Sequence, residues 1–483
     1  MDRQRVTFAF FFLLMQFVSA DNSSCRFTSL RDDKQPRIAP VLEKHQALLL
    51  MVLGFGGLSI TVGLLHHAVR KYVYRDSHNL DTVFDAGGKV TLGLTAVTVT
   101  SQMLWPADFL QCATLITKTG VGGSLFFVLA IVSNIVIFPL LSITLKTRAP
   151  GAKTFLQIIY ARFGKPAHVV FCVIALIANL TTVMALILAA KATLDVLAKD
   201  VSDEMVLLVL AFLFGSYCLI GGLGTTFYIS YFNTALTFIS VLVFIAKVSY
   251  FQPDDKVISK VNVYNAMKCI KGPDGNYQNS ILTFRTRGGI LYGILLFIVA
   301  TSLTFCDQAS WQSRIAAKPA QGVAGFFIAA YLWFALPMTI SMTVSMTYIS
   351  MSYQNGSHLL SSFDIDSGFI TPYVMQNTLG QTGAYLLITI VTMALMSTGS
   401  GEVMAVSSII VYDIYRVYIN PFRKDYQITR CPLCGKDRIC SPFKNLVCLC
   451  PSVLSCKECE NDVLVRLKGE KYHRPYECKT HAR

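Results

Sequence analysis

A cluster of hydroxyl and carboxyl side chains lies inside an apolar segment near residue 400. Ser397 and Thr398 are adjacent, and Glu402 follows in the same segment. Such groups are costly at membrane depth unless they face a cavity, an ion or each other. Two neighbouring hydroxyls, with Gly399 and Gly401 allowing close approach, suit a hard cation that takes oxygen ligands. The alternative is that the hydroxyls bond back to carbonyls of their own helix, but the buried Glu402 favours a site.

A second polar stretch lies in the helix predicted over residues 90–117. Its middle holds the following residues: Gln102, Met103, Trp105, Pro106 and Asp108. Pro106 removes one backbone hydrogen bond and pushes the preceding turn apart, so carbonyls near Gln102 and Met103 become available. Exposed backbone at membrane depth is tolerated where it lines a cavity, which in transporters is where solute binds. A kink without a ligand is the alternative, but the buried Asp108 favours a solute site.

The two buried carboxyl groups also bear on ion coupling. Carboxyl groups inside membrane helices are typical of proton relays, so Asp108 and Glu402 are candidates for proton coupling. No nucleophile, phosphate-binding loop or metal dyad occurs in a polar segment of the sequence. We therefore predict that the protein is not an enzyme.

The elements that position these side chains are predicted to be membrane spans. The chain has 483 residues, of which 53% are hydrophobic and 14% charged, and its mean hydropathy is +0.51. This composition indicates a multispanning protein in a lipid bilayer, and the net charge of +14 then reflects cytoplasmic loops rather than nucleic-acid binding. About nine spans, each of roughly 20 apolar residues, are predicted at 47–69, 90–117, 121–145, 168–190, 205–222, 226–250, 288–306, 322–350 and 381–414.

The termini and charged loops predict the orientation. Residues 1–20 have the form of a signal peptide, with a signal anchor as the alternative, and 21–46 would then be extracellular. The loop over residues 351–380 has no Lys or Arg and is also predicted outside. Asn22 and Asn355 begin glycosylation sequons in these two regions. An odd number of spans places the C-terminus in the cytoplasm.

The segment over residues 422–483 is a separate, cysteine-rich tail. Two cysteine pairs have the short spacing of zinc ligands, namely Cys431 with Cys434 and Cys456 with Cys459. Thiolates in a reducing cytosol favour zinc over disulfides, and a reactive or palmitoylated tail without metal is the alternative. On the outer side, Cys25 and Cys269 could form a disulfide bond.

Two stretches resemble a known family. STGSGEVMAVSSIIVYDIYRVYINP (397–421) and GLTAVTVTSQMLWPADFLQ (93–111) are similar to the sodium:solute symporter family, especially its urea active transporters. The resemblance implies an all-α core of inverted five-helix repeats over residues 47–421, with the second repeat incomplete. It also implies a sodium ion held by the hydroxyls of Ser397 and Thr398 and by the carbonyls of Ala96, Val99 and Ala394. The implied solute cavity includes Gln102, Met103, Trp105 and Asp108.

A third stretch, TFCDQASWQSRIAAKP (304–319), is similar to the end of the family's sixth core helix. We expect Asp307, Gln308 and Arg314 to brace an inner gate rather than to contact solute, with Asp307 acting as a helix-end partner for nearby cations. Lys191 and Asp195, four residues apart, are expected to form a structural ion pair.

Two functions follow from these expectations. The first is a secondary active transporter of urea, or of a similar small polar solute, in the plasma membrane and coupled to sodium or proton entry. The second is a shortened, non-transporting membrane protein whose zinc-binding tail contacts a regulatory partner.

Overall fold

The computed structural model describes residues 38–74, 84, 86, 90–149, 152–250 and 260–419, and these form helices joined by short connections. Several sequence-based predictions lie outside these residues. They concern the signal peptide, Asn22, Cys25 and the tail cysteines Cys431, Cys434, Cys456 and Cys459.

The helices are numbered in chain order. The first half of the described chain contains α1 (Lys44–Val73), α2 (Leu92–Met103), α3 (Pro106–Thr119), α4 (Val121–Arg148), α5 (Phe155–Phe163), α6 (Lys165–Leu197) and α7 (Asp203–Tyr250). The second half contains α8 (Lys260–Cys269), α9 (Arg287–Cys306), α10 (Gln308–Ala316), α11 (Pro319–Asn355), α12 (Ser362–Asp366), α13 (Ile370–Leu379) and α14 (Gln381–Ile419).

All nine predicted spans lie in helical segments. Among the described residues, seven helices are long and apolar enough to cross a membrane. The difference has two causes. The span predicted at 90–117 is divided into α2 and α3, and α7 covers two predicted spans. Within α7 the backbone turns at Gly222, whose φ of 64° is a conformation that glycine adopts without strain.

Helix α14 lies at the centre of the bundle. In the most apolar stretch of 18 residues, 89% of the residues of α14 are buried, whereas only 17% are buried in the corresponding stretch of α9. Helix α14 packs most extensively on α7 and also contacts α2, α6 and α13, while α11 packs on α2, α3 and α4. The polar side chains of α14 therefore face protein, and the apolar faces of the outer helices, such as α9, are available to lipid.

Polar contacts tie the ends of the helices together. The segment before α1 pairs with the connection after α6, where Leu42 N donates to Leu197 O at 3.0 Å and Lys199 Nζ lies 2.7 Å from Glu43 Oε1. The hydrogen bond from Lys199 lowers the pKa of the Glu43 carboxyl group. The Lys191 ammonium forms its close ion pair with Asp203, at 2.6 Å at the start of α7, and the expected partner Asp195 contributes only an electrostatic attraction without a close contact.

The described residues of the predicted outer surface include the Asn355 sequon and Cys269, for which glycosylation and a disulfide bond were predicted. Asn355 is exposed at the C-terminal end of α11, and its sequon partner Ser357 accepts a hydrogen bond from it at 3.0 Å. Cys269 is disulfide-bonded. Because Cys25 lies outside the described residues, the pairing of these two cysteines stays a prediction.

Candidate functional site

The chain is broken between α2 and α3, as the sequence predicted. Leu104 (φ −92°, ψ 105°) and Trp105 (φ −96°, ψ 149°) are extended, and Pro106 begins α3. Proline suits a first helical position because its missing N–H would have had no partner there. The Asp108 carboxylate accepts a hydrogen bond from Trp105 N at 2.7 Å and so caps the start of α3.

The carbonyls freed by this break bind side chains of two other helices. The indole Nε1 of Trp333 on α11 donates to Met103 O at 2.9 Å. The hydroxyl of Thr398 on α14 donates to Gln102 O at 3.0 Å and to Leu104 O at 3.4 Å. The broken segment is therefore held from both sides by buried donors, which satisfy backbone groups that apolar surroundings would leave unpaired.

The hydroxyl group of Ser397 is a second point of contact between helices. Its Oγ accepts hydrogen bonds from Ser101 Oγ on α2 at 2.6 Å and from Asn233 Nδ2 on α7 at 2.8 Å. Back-bonding to the same helix is found instead at Ser407 and Ser408. Both arrangements considered for these hydroxyl groups therefore occur in α14. The hydroxyls of Ser397 and Thr398 bind neighbouring helices, whereas those of Ser407 and Ser408 bind carbonyls of their own helix.

The other residues of the predicted sodium site lie on the same two helices. Ala96 and Val99 on α2 and Ala394 on α14 are buried, and Ala96 O accepts a hydrogen bond from Thr100 Oγ1 at 2.8 Å. Helices α2 and α14 pack against each other. Sequence reasoning missed Asn233, although an amide group inside an otherwise apolar span was a signal that could have revealed it.

A cavity opens beside the break between α2 and α3. Its volume is about 40 Å³. It is lined by Gln102, Met103, Trp105, Thr182, Leu303, Thr304, Asp307, Ala309, Ser310, Thr398, Gly401 and Glu402. A polar lining of this kind suits ordered water or a small polar solute.

The cavity brings together some predicted site residues and separates others. Gln102, Met103 and Trp105 line it, whereas Asp108 is absent from the lining and caps α3. The side chain of Gln102 accepts a hydrogen bond from Ser313 Oγ of α10. Asp307 was expected at an inner gate, away from solute, but the structure places it in the cavity wall beside Glu402.

One amide group joins the two carboxyl groups of the cavity wall. Asn179 Nδ2 on α6 donates to Asp307 Oδ1 at 2.5 Å and to Glu402 Oε2 at 2.7 Å. Asp307 also accepts hydrogen bonds from the backbone of Ala309 and Ser310, so it caps α10 rather than binding a nearby cation. Asn179 was not predicted as a site residue, although, like Asn233, it is an amide in an apolar span.

The remaining residues of the predicted inner gate lie away from the cavity lining. Gln308 accepts a hydrogen bond from Phe155 N at 3.4 Å and donates to Lys153 O at 3.1 Å, which holds the start of α5. Arg314 is fully buried and donates to Pro319 O at 3.0 Å. Gln308 and Arg314 thus brace connections between helices.

The two glycines of α14 face different neighbours, which gives a matched pair of variants. A methyl group at Gly399 would lie 2.5 Å from the ring of Phe214, whereas at Gly401 it would lie 3.3 Å from Gln102 Nε2. We expect Gly399→Ala to lower stability by about 1–3 kcal/mol through overpacking. Gly401→Ala should change stability by less than about 0.5 kcal/mol and raise the KM for solute. Thermal unfolding and uptake assays measure both, and equal stabilities of the two variants would contradict this assignment.

A bundle of long apolar helices with a broken helix at a buried polar cavity defines the class of secondary solute transporters. Residues 83–430 match the Sodium:solute symporter family, and the chain belongs to this family. It is thus a multi-pass membrane protein of a transporter family and not an enzyme, as the sequence predicted.

The most similar curated proteins include three urea transporters. The chain is 30% identical over 400 residues to Urea-proton symporter DUR3 of Oryza sativa subsp. japonica, covering 79% of this chain and 54% of that protein. Identity to Probable urea active transporter 1 of Schizosaccharomyces pombe is 29%, covering 76% and 56%, respectively. For Urea active transporter of Saccharomyces cerevisiae it is 29%, covering 77% and 51%. The chain spans about half the length of these relatives.

A solved structure supports the predicted fold class. The substrate-bound, outward-open structure of a Na⁺-coupled sialic acid symporter superposes with a TM-score of 0.59 at 15% identity, covering 76% of this chain and 75% of that chain. The likeness confirms an all-helical, multispanning fold of the leucine-transporter type.

Proposed function

We propose that this protein carries urea into the cell across the plasma membrane, coupled to the entry of sodium or protons. The observation that carries the proposal is the small polar cavity at the break between α2 and α3, in a chain whose curated relatives bear the names of urea transporters. Solute would bind at this break, and the two halves of the core would rock around it.

Urea is small, planar and neutral, with both donors and acceptors, so a suitable cavity needs both kinds of partner. The lining includes Gln102, Ser310 and Trp105, whose side chains carry an amide, a hydroxyl and an indole group. Met103 and Leu303 contribute apolar surface. Small-solute cavities typically combine an apolar lining with a few polar groups that fix orientation.

The coupling ion has two candidate positions. Sodium would bind the hydroxyls of Ser397 and Thr398 with the carbonyls of Ala96, Val99 and Ala394, and a proton would bind Asp108 or Glu402. In either case the ion must bind one conformation more tightly than the other, because a ligand shifts an equilibrium only through differential affinity. Thr398 supports this link, since its hydroxyl binds the broken segment and the residue also lines the cavity.

The proposed orientation has the N-terminus outside and the C-terminus in the cytoplasm. Residues 351–380, which include α12 and α13, would then be extracellular. The exposure of Asn355 supports this assignment, because a glycosylated asparagine must be accessible.

Labelled urea uptake tests the proposal. The full chain is expressed in cells without their own urea uptake and assayed at two pH values, with and without sodium, while surface labelling measures exposed protein. We expect saturable uptake that depends on one of the two ions. Well-exposed protein without urea uptake would overturn the proposal.

A substitution in the lining sharpens this test. Gln102→Leu removes the amide from the cavity at similar volume and is expected to raise the KM for urea at least about fivefold, the equivalent of one hydrogen bond. Gln376→Leu is the matched control because Gln376 lies on α13, outside the cavity lining, and binds Ala39 O. An equal rise in KM for both variants would exclude a specific contribution of Gln102.

A further inference from the structure

Two buried carboxyl groups from distant parts of the chain meet at one amide nitrogen. Asp307 is 8% exposed and Glu402 is 2% exposed, and both accept a hydrogen bond from Asn179 Nδ2. Three helices contribute to the arrangement, namely α6, α10 and α14. In the described part of the chain, neither carboxyl group forms an ion pair with Lys, Arg or His.

Ionisation of both carboxyl groups would be strongly unfavourable, because both are buried and both lie within 2.7 Å of the same nitrogen atom. Burial removes the hydration of each charge, and the charges would also repel each other. The polar side chains that line the cavity with Glu402, together with Asn179, supply no positive charge: they are Gln102, Thr182, Thr304, Asp307, Ser310 and Thr398. Arg314, the buried cation of α10, lies outside this lining and binds Pro319 O. Cys306 ends α9 next to Asp307, and Asp108 caps α3 outside the cavity lining. One positive charge must therefore accompany the pair.

The hydrogen bonds distinguish the two carboxyl groups. Both oxygens of Asp307 are occupied, since Oδ1 accepts from Asn179 and Ala309 N, and Oδ2 accepts from the amide and hydroxyl of Ser310. Such a set of donors stabilises the ionised form. Glu402 accepts through Oε2 alone, and its Oε1 receives no hydrogen bond from the described residues. Glu402 is thus the carboxyl group that remains open towards the cavity.

A second observation indicates what the site binds. The buried Oδ1 of Asn179 belongs to the amide that joins the pair, and it has no hydrogen-bond partner in the described structure. A buried, unpartnered acceptor on the amide that binds Glu402 requires a hydrogen-bond donor. A metal ion fits less well, because both oxygens of Asp307 already accept hydrogen bonds and the same amide nitrogen of Asn179 donates to both carboxyl groups.

We propose that Glu402 carries a proton in this conformation, that Asp307 stays ionised, and that the proton on Glu402 is the one coupled to solute movement. The coupling rests on the proposed transport function, whereas the protonation of Glu402 does not. Loss of the proton places a second negative charge on the Asn179 bridge, and the repulsion separates α14 from α10 at the cavity wall. The proton thereby favours the conformation in which the three helices are joined.

Infrared spectroscopy of the purified full chain tests the protonation without any solute. A protonated buried carboxyl group has a C=O stretching band well separated from that of a carboxylate. We expect such a band in the wild type, its loss in Glu402→Gln, and its retention in the matched control Glu43→Gln, which replaces an exposed carboxyl group outside the cavity lining. Glu402→Asp should keep the band at a shifted position. If Glu402→Gln does not fold, this shift is the result that assigns the band to residue 402. A band that neither Glu402 variant alters, or one that sodium removes at constant pH, overturns the proposal.

Uptake measurements test the coupling separately. Wild-type urea uptake should change with pH by up to about tenfold per pH unit, the limit for one titrating group. Glu402→Gln should reduce this to less than about twofold, while Glu43→Gln, the same replacement outside the cavity, keeps the wild-type profile. A wild type that moves no urea refutes the transport function and leaves the infrared result to decide protonation. A wild-type pH profile in Glu402→Gln overturns the coupling.

Discussion

Replacing both Ser397 and Thr398 by alanine is expected to reduce ion-dependent urea uptake to the level of cells without the protein. Ser397 accepts hydrogen bonds from α2 and α7, and the Thr398 hydroxyl binds the carbonyls freed by the broken helix. The double variant removes both hydroxyl oxygens proposed as ligands and also releases the broken segment.

The loss should be one of function rather than of folding. Interhelical hydrogen bonds in membrane proteins contribute only about 0.6 kcal/mol each on average, so surface-labelled protein should stay near the wild-type amount. The matched control is Ser407→Ala with Ser408→Ala, which removes two hydroxyls of the same helix that bind only their own helix. Uptake at fixed surface expression is the measurement, and unchanged ion-dependent uptake in the Ser397 and Thr398 variant would refute the ion assignment.

Trp333→Ala is expected to lower the free energy of unfolding by about 3–5 kcal/mol, the range for removing a large aromatic residue from a packed core. Trp333 is fully buried in α11, among the largest of the fully buried side chains in the described structure. Its indole N–H also donates to Met103 O at the broken helix. The substitution therefore leaves a cavity and removes the donor from a buried carbonyl.

A second variant separates these two effects. Trp333→Phe keeps most of the apolar ring and removes the N–H, so it should cost about 1 kcal/mol while altering the KM for urea through the position of Met103. Trp311→Phe is the control, because the indole of Trp311 donates to Phe305 O, outside the broken segment. Thermal unfolding in detergent and uptake kinetics measure the two effects. A Trp333→Phe variant with wild-type stability and KM would show that the indole does not hold the break.

Local sequence was sufficient for the features that depend on covalent geometry and apolar length. Pro106 lacks an N–H and carries a ring, so it must start a helix or break one, and the extended backbone at Leu104 and Trp105 follows from this. The lengths of the apolar segments predicted helices at all nine spans. The conformational freedom of Gly222 explains how two of those spans join in α7.

The contacts within the site depended on the tertiary structure. Asn179 binds residues 128 and 223 positions away in the chain, and Trp333 binds a carbonyl 230 positions away. No local pattern encodes such pairs, because the packing of helices brings them together. Asp307 illustrates the difference. Its sequence context indicated the end of a helix, which was correct, but only the packing of α6 and α14 against α10 placed its carboxylate beside Glu402. The sequence by itself thus determined where the chain spans and breaks, and the three-dimensional packing decided which buried polar groups share a cavity.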